Sequence, residues 1–211
     1  MQYLWAALGA LCVAGAVCFA RKTFLSLPLA GGPFLLELAG AAAAGALLGW
    51  LGGIRVGGSV PGMARLLIAA AALAGAGRCD VRDSRIPNLF PALLAGGFVL
   101  CTALDAVLQP QVLLPNLVGG LIGGGVVFLL LWLCGRLSHG GVGGGDVKLM
   151  AALTCLLGLY GGFNVLLFAQ FSALAVVAVL LVLRRITLKG SIPFAPFFYL
   201  GLVITVWLGN F

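Results

Sequence analysis

The sequence predicts an all-α fold, a polytopic bundle of about eight transmembrane helices with both termini outside. Three observations lead there. Of 211 residues, 63% are hydrophobic and 8% charged, with a mean hydropathy of +1.21, whereas a soluble domain carries about 25% charged residues. The apolar stretches are close to spanning length, and Gly- or Pro-containing breaks divide them. The basic residues fall in alternate breaks. Disorder is excluded by the same composition, because disordered chains are polar and charge-rich. The chain reads as a single integral-membrane domain over residues 1–211, with no room for a large domain outside the bilayer.

The apolar runs cover roughly 4–20, 34–52, 63–78, 89–108, 113–134, 147–160, 163–183 and 194–208. The first lacks a basic leader region and a small-residue cleavage site, so it reads as a span rather than a removed signal peptide. Pro28 and Gly31-Gly32-Pro33 end it, and Gly57-Gly58 close the second run. Pro87-Asn88 separate the third from the fourth, and Pro110 with Pro115-Asn116 separate the fourth from the fifth. Gly140-Gly141 precede the sixth, a short run suited to a tilted or partly inserted helix. Gly161-Gly162 mark the weakest boundary, between the sixth and seventh, and Pro193 opens the eighth.

Lysine and arginine give the orientation. Arg21, Lys22, Arg78, Arg82, Arg85, Arg136, Lys148, Arg184, Arg185 and Lys189 fall in one set of breaks, and only Arg55 and Arg65 in the other. The first set faces the cytoplasm under the positive-inside rule. The excess of twelve basic over five acidic residues therefore records topology and not nucleic-acid binding. Arg184, Arg185 and Lys189 suit orientation and contact with anionic lipid.

The 33 glycines, dense in 39–45 and 119–125, suit close helix packing in lipid. The six cysteines form no C-x-x-C pair, so neither a zinc ribbon nor a redox motif is expected. They read as small packing residues. His139, the only histidine, has no Ser-His-Asp arrangement to join.

The acids are Glu37, Asp80, Asp83, Asp105 and Asp146. Acids near a bilayer are costly and suggest function. Asp80 lies in CDVRDSRIPN (79–88) and Asp146 in HGGVGGGDVKLM (139–150). The topology puts both on the cytoplasmic face. Two close carboxyls share a proton, so one can draw a proton from water while the other polarises a carbonyl. The helix dipole favours an ionised Asp146, but sequence does not say which Asp holds the proton. Gly143, Gly144 and Gly145 allow a sharp turn and close approach of a substrate backbone, in the manner of strand addition. The competing readings are surface ion pairs, a plain turn, and a phosphate loop, which lacks its G-K-[ST]. Asp105 is expected on the far side in a structural role. A small transporter or channel using Asp80 and Asp146 as proton or cation sites is the alternative function.

At these segments the sequence resembles the type IV prepilin peptidases, leader peptidases of the GxGD aspartic class. Gly143-Gly144-Gly145-Asp146-Val147-Lys148-Leu149 is similar to GxGD-x-K-L, and Asp80-Val81-Arg82 with Arg85-Ile86-Pro87-Asn88 to D-x-R-x-x-x-I-P-N. Ser191-Ile192-Pro193-Phe194-Ala195-Pro196-Phe197 resembles a late P-F-G-P stretch, with Ala195 in place of Gly. The resemblance covers roughly residues 60–205. It implies an endopeptidase of the inner (plasma) membrane that cuts the basic leader from prepilins or pilin-like proteins at the cytoplasmic face. Asp80 and Asp146 would be catalytic, with no metal and no cofactor. Many members also methylate the new N-terminus, an activity tied to a cytoplasmic insert with paired C-x-x-C motifs. Here the gap spans only about 21–33, so a peptidase without methyltransferase activity is expected.

The resemblance favours Asp80 over its neighbour Asp83, which is expected as a solvated acid pairing with Arg82 or Arg85. Lys148 is a candidate for holding the dyad's charge or a leader carbonyl, or for snorkelling to the interface. Arg82, Pro87 and Asn88 are supporting candidates, the last two as the end of a loop and start of a helix. Glu37, about one turn inside the second span, is a candidate for leader recognition. The expected partners are prepilin substrates and membrane lipid, not nucleic acid.

Overall fold

The computed structural model describes residues 2–23, 32–55, 59–138, 141–184 and 193–209. These form seven helices and no strand: α1 (Gln2–Thr23), α2 (Gly32–Arg55), α3 (Val60–Asp83), α4 (Leu89–Leu108), α5 (Pro110–Leu137), α6 (Gly144–Val182) and α7 (Ala195–Leu208). The first six are long and apolar enough to cross a membrane, while α7 has 14 residues. The chain is a multi-pass helical bundle. His139, Gly140, Arg185, Lys189, Ser191 and Ile192 lie outside the described residues.

Local chemistry sets the helix ends. Proline sits in the first turn of α3, α5 and α7, where its missing N–H costs nothing. α3 stops at Ser84, which takes the left-handed conformation (φ 49°, ψ 37°) and donates its N–H to the Asp80 carbonyl at 2.9 Å. That turn leaves the Asp80 side chain at the end of a rigid helix.

Glycine lets the helices meet. A Cβ on Gly9 would strike the Gly45 backbone, and one on Gly49 the Trp5 carbonyl, so α1 and α2 approach backbone to backbone. Gly120, Gly123 and Gly124 of α5 lie against Cys155, Leu159 and Ala151 of α6 in the same way. Packing of this kind replaces the hydrophobic drive that lipid removes. Gly40, Gly119 and Gly125 face open space. The core between α3, α4, α6 and α7 is built from Met63, Leu73, Phe90, Leu94, Met150, Leu153, Phe198 and Leu202, all fully buried.

α6 differs from expectation. The sixth and seventh apolar runs are one 39-residue element, and the break falls at Gly158 rather than Gly161-Gly162. Gly158 has φ 79° and ψ 171°, which only glycine adopts readily. A Cβ on Gly162 would lie 2.6 Å from the Cα of Thr154. Eight residues of straight helix would separate them by about 12 Å, so α6 folds back on itself. The second half then returns along the first and continues to Val182, about 18 Å beyond Gln170 at 1.5 Å per residue. Leu174, Val179 and Val182 on this extension are exposed, as lipid-facing residues are.

The described members of the two basic sets named below occupy opposite ends. Arg21, Arg82 and Arg136 lie in the last turns of α1, α3 and α5, with Arg78 one turn further inside α3, and Lys148 lies in the first turns of α6. Arg65 lies with Asp105 at the opposite end, and Arg55 lies beside Gly209 there. Gln2, beside Gly53 near the end of α2, is at that same far end.

Candidate active site

Asp80 comes from the last turn of α3, Asp146 from the first turn of α6, and both line one cavity of about 390 Å³. The other lining residues are Ser84, Leu131, Gly141, Val142, Gly143, Leu166, Gln170, Pro193, Phe194 and Phe198. Helices α3, α5, both halves of α6, and α7 thus converge on the two carboxyls, although 66 residues separate them in sequence. The fold-back at Gly158 is what brings Leu166 and Gln170 level with Asp146.

Asp80 is only 7% exposed. Its Oδ2 accepts a hydrogen bond from the Ala195 backbone N–H at 2.9 Å. Ala195 opens α7, so this N–H has no carbonyl to bond within its own helix. The Pro-Phe-Ala-Pro stretch therefore anchors Asp80 through its backbone, which Ala supplies as well as Gly. A Cβ on Gly77 of α3 would reach Pro196 at 3.5 Å, so the α3–α7 seam is close at this point. Asp146 is half-buried, and its Oδ1 is fully enclosed with no hydrogen-bond partner among the described residues. Neither Asp forms an ion pair with a described Lys or Arg; the pairs present involve Glu37 and Asp105.

The three glycines do different things. Gly143 is extended (φ −66°, ψ 136°) and caps α6, and a Cβ there would lie 2.9 Å from Asp146 Oδ2. A Cβ on Gly145 would reach Ile86 at 3.1 Å, while Gly144 faces open space. The expected sharp turn is absent, because Gly144 and Gly145 already belong to the first turn of α6. Among the described residues, 141–143 form the non-helical strip beside the cavity.

The other candidates surround the cavity without lining it. Asn88 precedes α4 and accepts from Lys148 Nζ at 3.5 Å, a long contact that joins the two motifs. Pro87, two residues before α4, accepts from the Phe90 N–H at 3.2 Å through its carbonyl, as expected of a loop-ending residue. Arg82 is exposed. Asp83 is exposed at the end of α3 and makes none of the ion pairs found, so the expected pairing with Arg82 or Arg85 is not seen. It could form only across exposed, well-solvated side chains, where such pairs gain little. Glu37 stands apart from this cavity. Its two oxygens accept from Arg21 Nη1 at 2.9 Å and Arg78 Nη2 at 2.8 Å, which ties α1, α2 and α3 together.

Sequence reasoning missed Gln170, Ser84, Phe194 and Phe198. Gln170 carried a signal: it is the sole polar residue in 165–171, and polar groups at membrane depth point to function. The aromatic pair carried none, since Phe is ordinary in a span. Phe194 and Phe198 meet edge to face, with ring centroids 5.0 Å apart.

A model of the type IV leader peptidase family matches residues 66–181, more than half the chain, from within α3 to the end of α6. The chain is 34% identical over 96 residues to the prepilin leader peptidase/N-methyltransferase of Bacillus subtilis (strain 168), covering 43% of this chain and 37% of that protein. It thus spans little more than a third of that relative's length. It is 33% identical over 135 residues to the leader peptidase HopD of Escherichia coli, covering 61% of this chain and 82% of that protein. No solved structure matches. With both aspartate motifs inside the matched region, this chain belongs to the type IV leader peptidase family.

Proposed function

We propose that this chain is a membrane aspartic endopeptidase that removes the short basic leader from type IV prepilins or pilin-like proteins at the cytoplasmic face of the inner (plasma) membrane. The observation that carries the reading is the shared cavity: Asp80 and Asp146 line it together, and no described cation neutralises either. The basic residues gathered at this end support the cytoplasmic assignment. A prepilin helix would present its cleavage site at this height.

The two carboxyls hold one proton between them. A water bound there gives its proton to the ionised carboxylate as its oxygen attacks the scissile carbonyl carbon. The protonated partner donates to the carbonyl oxygen. As the C–N bond breaks, the amine leaves with the proton from the dyad, a hydroxyl of the tetrahedral intermediate gives its proton back as the new carboxyl group forms, and the pair again holds one proton. Asp80 is held by Ala195, so its orientation is fixed. Asp146 Oδ1 has no hydrogen-bond partner among the described residues, so its lone pairs are unclaimed. Gln170 offers an amide to the substrate backbone, and Phe194 and Phe198 form an apolar wall. With Glu37 taken by two arginines, its expected role in leader recognition loses support.

The test is cleavage by the purified full chain in lipid nanodiscs with a pilin-like substrate, read by mass spectrometry. The expected products are an intact leader and a mature chain with a free, unmethylated N-terminus even when S-adenosylmethionine is supplied. A folded chain that leaves the substrate whole, yet passes protons across liposomes in an Asp80-dependent way, would establish the transporter reading instead.

A further inference from the structure

A second cavity, of about 500 Å³, lies on the other side of the α3–α7 seam from the aspartates, between α1 and α2 on one wall and α3 and α7 on the other. We propose that it holds one anionic glycerophospholipid, with an acyl chain in the groove and the phosphate at Arg78. The inference does not depend on the peptidase reading.

The shape is that of an acyl-chain slot. Val13, Ala41, Ala44 and Leu73 line it, all apolar. On α2 it runs from Glu37 to Ala44, seven residues of helix or about 10 Å. Its charged end is the end of the bundle that carries Arg21, Arg78 and Arg136. The groove therefore points from the headgroup level toward the middle of the membrane, as a lipid chain does.

Two of its lining residues carry a buried donor without a partner among the described residues, Arg78 Nε and the Tyr199 hydroxyl. A buried donor left unpaired is destabilising, so each calls for an acceptor. Arg78 is at the charged end and Tyr199 one turn into α7. A phosphate oxygen at Arg78 and a deeper ester carbonyl at Tyr199 are the acceptors that a glycerophospholipid presents in that order. The charge agrees as well. Arg21 and Arg78 bring two positive charges to the one carboxylate of Glu37. Basic sites between transmembrane helices select anionic headgroups for this reason. The same charges disfavour a basic leader peptide here.

The experiment is native mass spectrometry of the purified full chain titrated with phosphatidylglycerol or phosphatidylcholine of equal chain length. One phosphatidylglycerol should bind at least fivefold more tightly than phosphatidylcholine. Arg78→Gln should erase that preference. Because Arg78→Gln also loosens the Glu37 ion pairs, Tyr199→Phe is the companion variant. It keeps the ring and every ion pair, and should weaken phosphatidylglycerol binding about threefold. Ala74→Leu, which fills the groove, should weaken both lipids. Equal binding of the two lipids, no effect of Tyr199→Phe, or full displacement by soluble glycerol phosphate would overturn the proposal. So would a cysteine at position 41 that cross-links to a pilin-like helix while lipid does not compete.

Discussion

The two ends of the bundle treat buried acids in opposite ways. At the far end, Asp105 is completely buried and its Oδ2 pairs with Arg65 and accepts from Asn116 Nδ2 at 3.0 Å, while its Oδ1, like that of Asp146, has no partner among the described residues. At the other end, Asp80 has one backbone donor, neither Asp80 nor Asp146 pairs with a described cation, and both line a cavity. An acid whose charge is neutralised by a neighbour holds helices together. Acids left against open space can exchange protons. Residue type is the same at both ends, and only the partners differ.

The largest contrast comes from removing the carboxyls in turn. Asp80→Asn and Asp146→Asn should each lower leader cleavage by about a thousandfold or more, the scale of general acid–base catalysis, with little change in thermal unfolding. Asp105→Ala should do the reverse. Breaking a buried pair from one side costs about 3–5 kcal/mol, so unfolding should occur at a much lower denaturant concentration while cleavage per folded molecule is retained.

Smaller effects sharpen the contrast at the open end. Gly143→Ala places a methyl 2.9 Å from Asp146 Oδ2 and should cut kcat about 10- to 100-fold, since a displacement near 1 Å has that scale. Gly144→Ala, facing open space, should stay within about twofold in the same assay. Gln170→Leu should raise KM about tenfold with kcat nearly unchanged, the loss expected for one hydrogen bond made equally before and during reaction. Asp83→Asn should change cleavage less than about twofold, because its carboxylate is solvated and unpaired.

Much of this architecture was legible in the chain. Hydrophobic runs and the alternation of basic residues locate the helices and their ends, because lipid penalises any other arrangement. The α3, α4, α5 and α7 boundaries fall within a few residues of the runs that announced them. The break in α6 was misplaced because Gly158, Gly161 and Gly162 are equivalent by composition. Only the backbone shows which one takes the positive φ and which ones pack inside helices. Asp80 and Asp146 stood out because acids are scarce. What they touch did not, because the Ala195 N–H comes from 115 residues away. Glu37 was equally conspicuous, and its arginine partners likewise depend on tertiary contact between three helices. The expected glycine strip failed for a local reason: α6 begins at Gly144, two residues before the aspartate.

The most direct measurement is the leader-cleavage rate of Asp80→Asn, Asp146→Asn and Asp105→Asn side by side, each normalised to its folded fraction in the same membrane. The first two should fall to background and the third should keep most of the wild-type rate. Cleavage that survives in either of the first two, or falls equally in all three, would contradict a reaction run by the Asp80–Asp146 pair.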